Sequence, residues 1–204
     1  MTTSAQIQAH IQTLPLGSVF TPKSLLQFGT RDNVDQVLSR LVKRGIIQRE
    51  AKGVYGKPII STWTGEPLPA ELSTVLEMVA QTNHEIIAFH GAAAVNLFGL
   101  STQNQIQPVF ITTGHSRNLK VGHQLVRLKH VNLKHLPLGN SKAGLAITAM
   151  RYIGSDELQP QTIASIRQQL EPSEWEKLES VLETQPAWLI RLVQQSKHMG
   201  ELHV

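Results

Sequence analysis

The 204-residue sequence contains no cysteine. Disulfide bonds, thiolate zinc sites and cysteine nucleophiles are therefore excluded, which suits a reducing cytosol. Long apolar runs are missing too, since none approaches the roughly 20 residues that span a bilayer. Met1 to Gln6 lacks the basic and apolar stretches of a signal peptide. A cytoplasmic chain with no membrane partner is the expectation. Charged residues make up only 17% of the sequence, hydrophobic ones 41%, and no tract is of low complexity. That is the composition of a folded chain, long enough for one large or two modest domains.

Recognisable catalytic and metal-binding patterns are also missing. His84 and His90 bracket His84-Glu85-Ile86-Ile87-Ala88-Phe89-His90, superficially like a metalloprotease helix. That site needs histidines four apart, whereas six apart on a helix places them about 120° apart. His115, His123, His130 and His135 have no paired carboxylate or cysteine ligands and are expected on loops and strand ends. Gly114, Gly122, Gly139 and Gly144 form no phosphate-cradling motif, and neither Ser101 nor Ser116 sits in Gly-x-Ser-x-Gly. No catalytic residue, metal or cofactor is predicted. An enzyme acting on nucleic acid through scattered residues is the reading such a search would miss.

What is present is charge, unevenly placed. Residues 1–60 hold eight basic side chains against Asp32, Asp35 and Glu50, a net of +5. Residues 61–155 come to +3, and 156–204 to −4. A basic front suggests a polyanionic partner, most commonly nucleic acid.

The local pattern of that front is specific. Ser4 is placed to cap a helix through Ile7, Ile11 and Leu14, ended by Pro15 and Gly17. Thr21-Pro22 starts a second, short helix that Gly29 closes, with the threonine side chain expected to accept an orphan N–H. A third helix follows Thr30, its apolar Val34, Val37, Leu38, Leu41 and Val42 at i, i+3, i+4, i+7 and i+8, with Gly45 at its C-terminal cap. Asp32, Gln36, Ser39, Arg40 and Lys43 then lie opposite the apolar stripe. Two short strands, 46–50 and 54–57, flank the basic turn Ala51-Lys52-Gly53.

Three helices and a β-hairpin in this order predict a winged helix-turn-helix domain over residues 1–60. In that motif the third helix enters the major groove, where Arg and Lys bond guanine and Gln pairs with adenine. Gln36, Arg40 and Lys43 are thus candidate base readers, and Arg49 and Lys52 of the wing would reach backbone or minor groove. A winged helix used for protein contacts is the alternative.

Pro58, Gly65, Pro67 and Pro69 mark a linker over 58–68. Beyond it, helices are expected at 70–81, 91–98, 143–153, 160–170, 172–183 and 186–197, and strands at 108–112 and 124–129. The predicted fold class is α+β: the winged helix-turn-helix domain, then a mixed α/β domain over 61–204 with a helical tail from about 156. The stretch around Thr113-Gly114-His115-Ser116-Arg117, with Lys120, Arg127, Lys129 and Lys134, could form a second basic surface or simply a solvated hairpin.

Phe20-Thr21-Pro22, the run from Val37 to Ile47, Lys52-Gly53-Val54-Tyr55, the block from Gly91 to Gln103 and Thr113-Gly114-His115-Ser116-Arg117 resemble the AbiEi-type antitoxins of bacterial type IV toxin–antitoxin systems. The similarity covers roughly residues 5–155. It implies an antitoxin that represses its own operon by binding inverted repeats in double-stranded DNA. The C-terminal domain would neutralise the effect of a nucleotidyltransferase-like toxin without needing to bind it. By the same resemblance, DNA contact is carried to Arg31, Gln36, Ser39, Arg40, Lys43, Arg49 and Lys52, and a C-terminal role to Arg117 and Lys120. A stand-alone regulator, its second domain serving dimerisation or ligand sensing, is the other reading.

Overall fold

The structure is a computed structural model that describes residues 2–103 and 107–200. The chain is α+β and divides into two compact units, one of residues 1–85 with 118–126, the other of 86–117 with 127–204. Residues 61–85, assigned from sequence to the second domain, group with the first sixty because the helix at 72–83 packs on strands of the first sheet.

In the first unit, α1 (Thr3–Thr13) is capped by Thr2, whose hydroxyl accepts from Ala5 N at 3.3 Å; the cap is not Ser4. Ser4 instead sits inside the first turn and accepts from Gln8 Nε2 at 3.4 Å. Strand β1 (Val19–Phe20) follows, then the short second helix, a 3-10 helix over Pro22–Phe28 closed by Gly29. Thr21 makes no side-chain cap; its carbonyl is taken by the Ser24 hydroxyl at 2.8 Å. α2 (Arg31–Lys43) ends as its sequence requires, with Ile46 N–H on Leu41 O and Gly45 N–H on Val42 O, both 3.0 Å. Only a left-handed residue closes this motif, and Gly45 has φ +69°.

β2 (Gln48–Ala51) and β3 (Val54–Gly56) pair antiparallel, and β1 adds to β3 to give the order β1-β3-β2. The segment read as a linker contains a small hairpin, β4 (Ile59–Ile60) on β5 (Pro67–Leu68). Ser61 Oγ accepts from the N–H groups of Trp63 and Thr64 in its turn, and Trp63 is 96% exposed. α3 (Leu72–Asn83) completes the run. Ile7, Ile11, Leu25, Val34, Leu38, Leu41 and Ile47 form the core, joined by Phe20 stacked on Tyr55 across β1 and β3.

A second sheet is formed by β6 (Ile87–Phe89), β7 (Val109–Thr112), β8 (Arg117–Val121) and β9 (Gln124–His130), in the order β6-β7-β9-β8. β6 is antiparallel to β7, while β7 and β9 are parallel. The β8–β9 tip, residues 118–126, is the segment that groups with the first unit. α4 (Gly91–Leu97) packs on α5 (Lys142–Ile153), and α6 (Pro160–Gln168), α7 (Pro172–Ser180) and α8 (Ala187–Gly200) follow. The acidic tail is therefore no appendage: Ile163, Ile166, Trp175, Leu178, Leu189 and Val193 share one core with Val95, Ile147 and Met150. No helix among the described residues is long and apolar enough to cross a membrane.

Candidate nucleic-acid interface

α2 separates its two faces cleanly. Val34, Val37, Leu38 and Leu41 are buried, and Gln36, Ser39, Arg40 and Lys43 are exposed. At about 100° per residue these four side chains fall within about 100° of arc, forming one outward row with Asp32 at its start. Arg31 does not join it. It lies about 140° round the helix from Gln36 and its Nε bonds Asp35 Oδ2 at 2.8 Å, one turn on.

Arg49 and Lys52 are also exposed. Gln48 pairs with Gly56, Arg49 with Tyr55 and Ala51 with Val54, so Glu50 is an extra residue in β2. Arg49 faces out and Glu50 in, as alternation along the strand gives, and the bulge that follows turns Ala51 inward as well. Lys52 stands at the tip, where Gly53, at φ +77°, closes the turn. Of the basic residues of the first sixty, Lys57 is spent internally, its Nζ donating to the carbonyls of Gln12 and Leu14 beyond the end of α1.

Glu50 is the unforeseen member of this region. Counted from sequence only in the net charge of the first sixty residues, it is 3% exposed. Burial pushes its carboxyl above the usual glutamate range, against the opposing effect of a hydrogen bond from the Ala70 backbone. The Gln48 amide, with its NH2 turned inward, donates to Glu50 Oε1 at 3.3 Å and to Leu68 O at 3.0 Å. Glu50 O accepts Gly122 N–H at 2.8 Å. β2 is thus tied to the β4–β5 hairpin and to the segment 118–126. A groove of about 630 Å³ runs beside it, lined by Gln48, Arg49, Glu66, Leu68 and His123.

The residues read as a second basic surface lie on the neighbouring strands β8 and β9 and in the turn after β9. Arg127 and Lys129 are exposed on one face of β9, alternating with buried Val126 and Leu128. Arg117 is half-buried and donates to His115 O at 3.0 Å, and Lys120 belongs to the segment that groups with the first unit. Lys134 is exposed in a 3-10 turn.

His84 and His90 share no helix. His84 ends α3 with φ +54°, a strand intervenes, and His90 Nδ1 accepts Ala92 N–H at 3.4 Å at the start of α4. Burial and then the charge of Lys129 hold the His90 pKa below its ordinary value. His135 is lowered by burial, Arg151 and Lys134, in that order. Among the described residues no three His, Asp or Glu side chains are placed to hold a metal ion.

Arg44 was missed from the interface. It extends the basic row of α2 towards α1 and is exposed. Its spacing from Arg40 was the signal, masked by the cap glycine beside it. With this geometry in place, the comparison with known families is brief. Residues 6–178 match a family described as being of unknown function, DUF6088. No curated protein matches the chain.

Proposed function

The chain belongs to the DUF6088 family, and we propose that it is a sequence-reading, double-stranded-DNA-binding antitoxin of the type IV kind that represses its own operon and counteracts a nucleotidyltransferase-like toxin. The observation that carries the DNA-binding part is the outward row Gln36, Ser39, Arg40 and Lys43 on α2, followed in the chain by a β2–β3 hairpin that exposes Arg49 and Lys52. The order α1, 3-10 turn, α2 and β2–β3, with β1 as third strand, supports reading the unit as a winged helix. A major groove about 12 Å wide accepts such a helix, and cations at the wing neutralise phosphates.

The antitoxin part rests on the resemblance of residues 5–155. Against a stand-alone regulator it is separated by expressing the chain with the nucleotidyltransferase-like product of a neighbouring gene: rescue of growth supports antitoxin action, and growth arrest unchanged by the chain removes it.

DNA reading is tested by titrating the purified chain against DNA from immediately upstream of its gene, at several salt concentrations, with random duplex as competitor. Binding about a thousandfold tighter than to random DNA is expected of a sequence-reading repressor. Weak, sequence-blind binding would refute it.

A further inference from the structure

Positive charge at the junction of α1 and α2 is unbalanced. From residue 36 to residue 49 the sequence has no acidic side chain, and α1 has none either. Between these helices lies a depression of about 270 Å³, floored by Val37 and Leu41. Ser4 and Gln8 line it from α1, and Arg40, Lys43 and Arg44 from α2.

Basic residues at a helix C-terminus commonly answer the exposed carbonyls there. Here those carbonyls are taken: Arg40 O receives Arg44 N–H, Leu41 O receives Ile46 N–H and Val42 O receives Gly45 N–H. Arg40 spends one of its five donors on Gln36 O, at 3.4 Å. Lys43 and Arg44 have no carboxylate partner among the described residues. Three cations around a small notch, with a hydroxyl and an amide as neutral donors and no internal anion, match the chemistry of one phosphate group.

We propose that this notch seats a single phosphodiester of the DNA backbone, held by Arg44 and Lys43, with Arg40, Ser4 and Gln8 completing the set. The proposal rests on the DNA-binding reading above and refines it. Arg40 and Lys43 become backbone-positioning residues, and base reading falls to Gln36 and Ser39.

The test uses the full chain and two duplexes, the upstream DNA and a random sequence. Arg44→Gln removes one cation. Gln8→Glu places a negative charge in the notch without touching the core, and Lys23→Gln, exposed and outside it, is the control. Both notch variants should weaken binding to both duplexes by the same factor, roughly tenfold for a lost charge-assisted contact. Arg44→Gln should also lower the salt slope by about one. One methylphosphonate position in the upstream duplex should weaken the wild type by a larger factor than it weakens Arg44→Gln. Salt slopes unchanged in both notch variants, alongside intact wild-type binding, would overturn the notch and leave the DNA reading standing. Failure of the wild type to bind either duplex would overturn both. Saturable binding of inorganic phosphate by calorimetry, abolished by Arg44→Gln while DNA affinity is not, would assign the notch to a small anion instead.

Discussion

A pair of substitutions two residues apart on α2 separates folding from reading. Leu38 is completely buried among Ile7, Ile11, Leu25 and Leu41, whereas Arg40 is exposed and its side chain donates to Gln36 O of its own helix. Leu38→Ala removes three carbon groups, about 2.4 kcal/mol at about 0.8 kcal/mol each. The cavity left between α1, the 3-10 turn and α2 brings the total to about 3–4 kcal/mol. Tryptophan fluorescence is a poor reporter, because Trp63 is already exposed in this unit and Trp175 is buried in the other. Amide hydrogen exchange of α2 is direct: about 3 kcal/mol corresponds to protection lowered by more than about a hundredfold. Arg40→Gln should leave that protection within about twofold, since surface changes stay within about 0.5 kcal/mol. Its effect should instead be a loss of roughly tenfold in affinity for specific and random DNA alike, with a salt slope lower by about one. Protection that falls equally in both variants, or less than about fivefold in Leu38→Ala, would refute the division of α2 into a packed and a reading face.

Other expectations follow from the same contacts. With its folded pKa raised, Glu50 contributes stability that is fully present below about pH 4.5, the ordinary glutamate value, and lost as pH rises through the folded value. Glu50→Gln should therefore be more stable than wild type at pH 7 in urea unfolding followed by exchange of the β2 amides, and the two should converge near pH 4; a pH-independent difference would contradict this. Asn140 accepts Phe89 N–H at 3.1 Å and donates to Ile87 O at 3.0 Å, serving β6 in the manner of a neighbouring strand. Asn140→Ala strands both groups and should cost about 2 kcal/mol in denaturation monitored by Trp175. A Cβ at Gly91 would overlap Tyr152 Cβ, where α4 packs on α5. Gly91→Ala should cost about 1–3 kcal/mol, and an unchanged thermal midpoint would show that α5 shifts freely.

Sequence was most informative where a structure is made by near neighbours. α2 and its Gly45 cap, the end of α4 at Gly99, and the proline starts of α6 and α7 all lie where local spacing puts them. β1 escaped notice because two residues carry no alternation; Val19 and Phe20 become a strand only by pairing with Gly56 and Tyr55 far along the chain. The β4–β5 hairpin was hidden by the prolines that mark a linker, and β6 by histidines at its flanks that drew attention to a helix. In the candidate site, the exposure of Gln36, Ser39, Arg40 and Lys43 was legible from periodicity. The burial of Glu50 was not, because what covers it comes from far along the chain, the Ala70 backbone and the segment carrying Gly122.

The segment 118–126 makes the chain pass between its two units at three places, after Glu85, after Arg117 and after Val126. The half that carries α2 and the β2–β3 hairpin is consequently no portable cassette. A fragment ended at residue 85 keeps every residue proposed to touch DNA, yet forfeits the N–H of Gly122 that holds the Glu50 carbonyl. In this architecture, insertions or deletions within the β8–β9 hairpin would be felt at β2. Recombination that swaps either unit alone would have to carry that nine-residue detour with it.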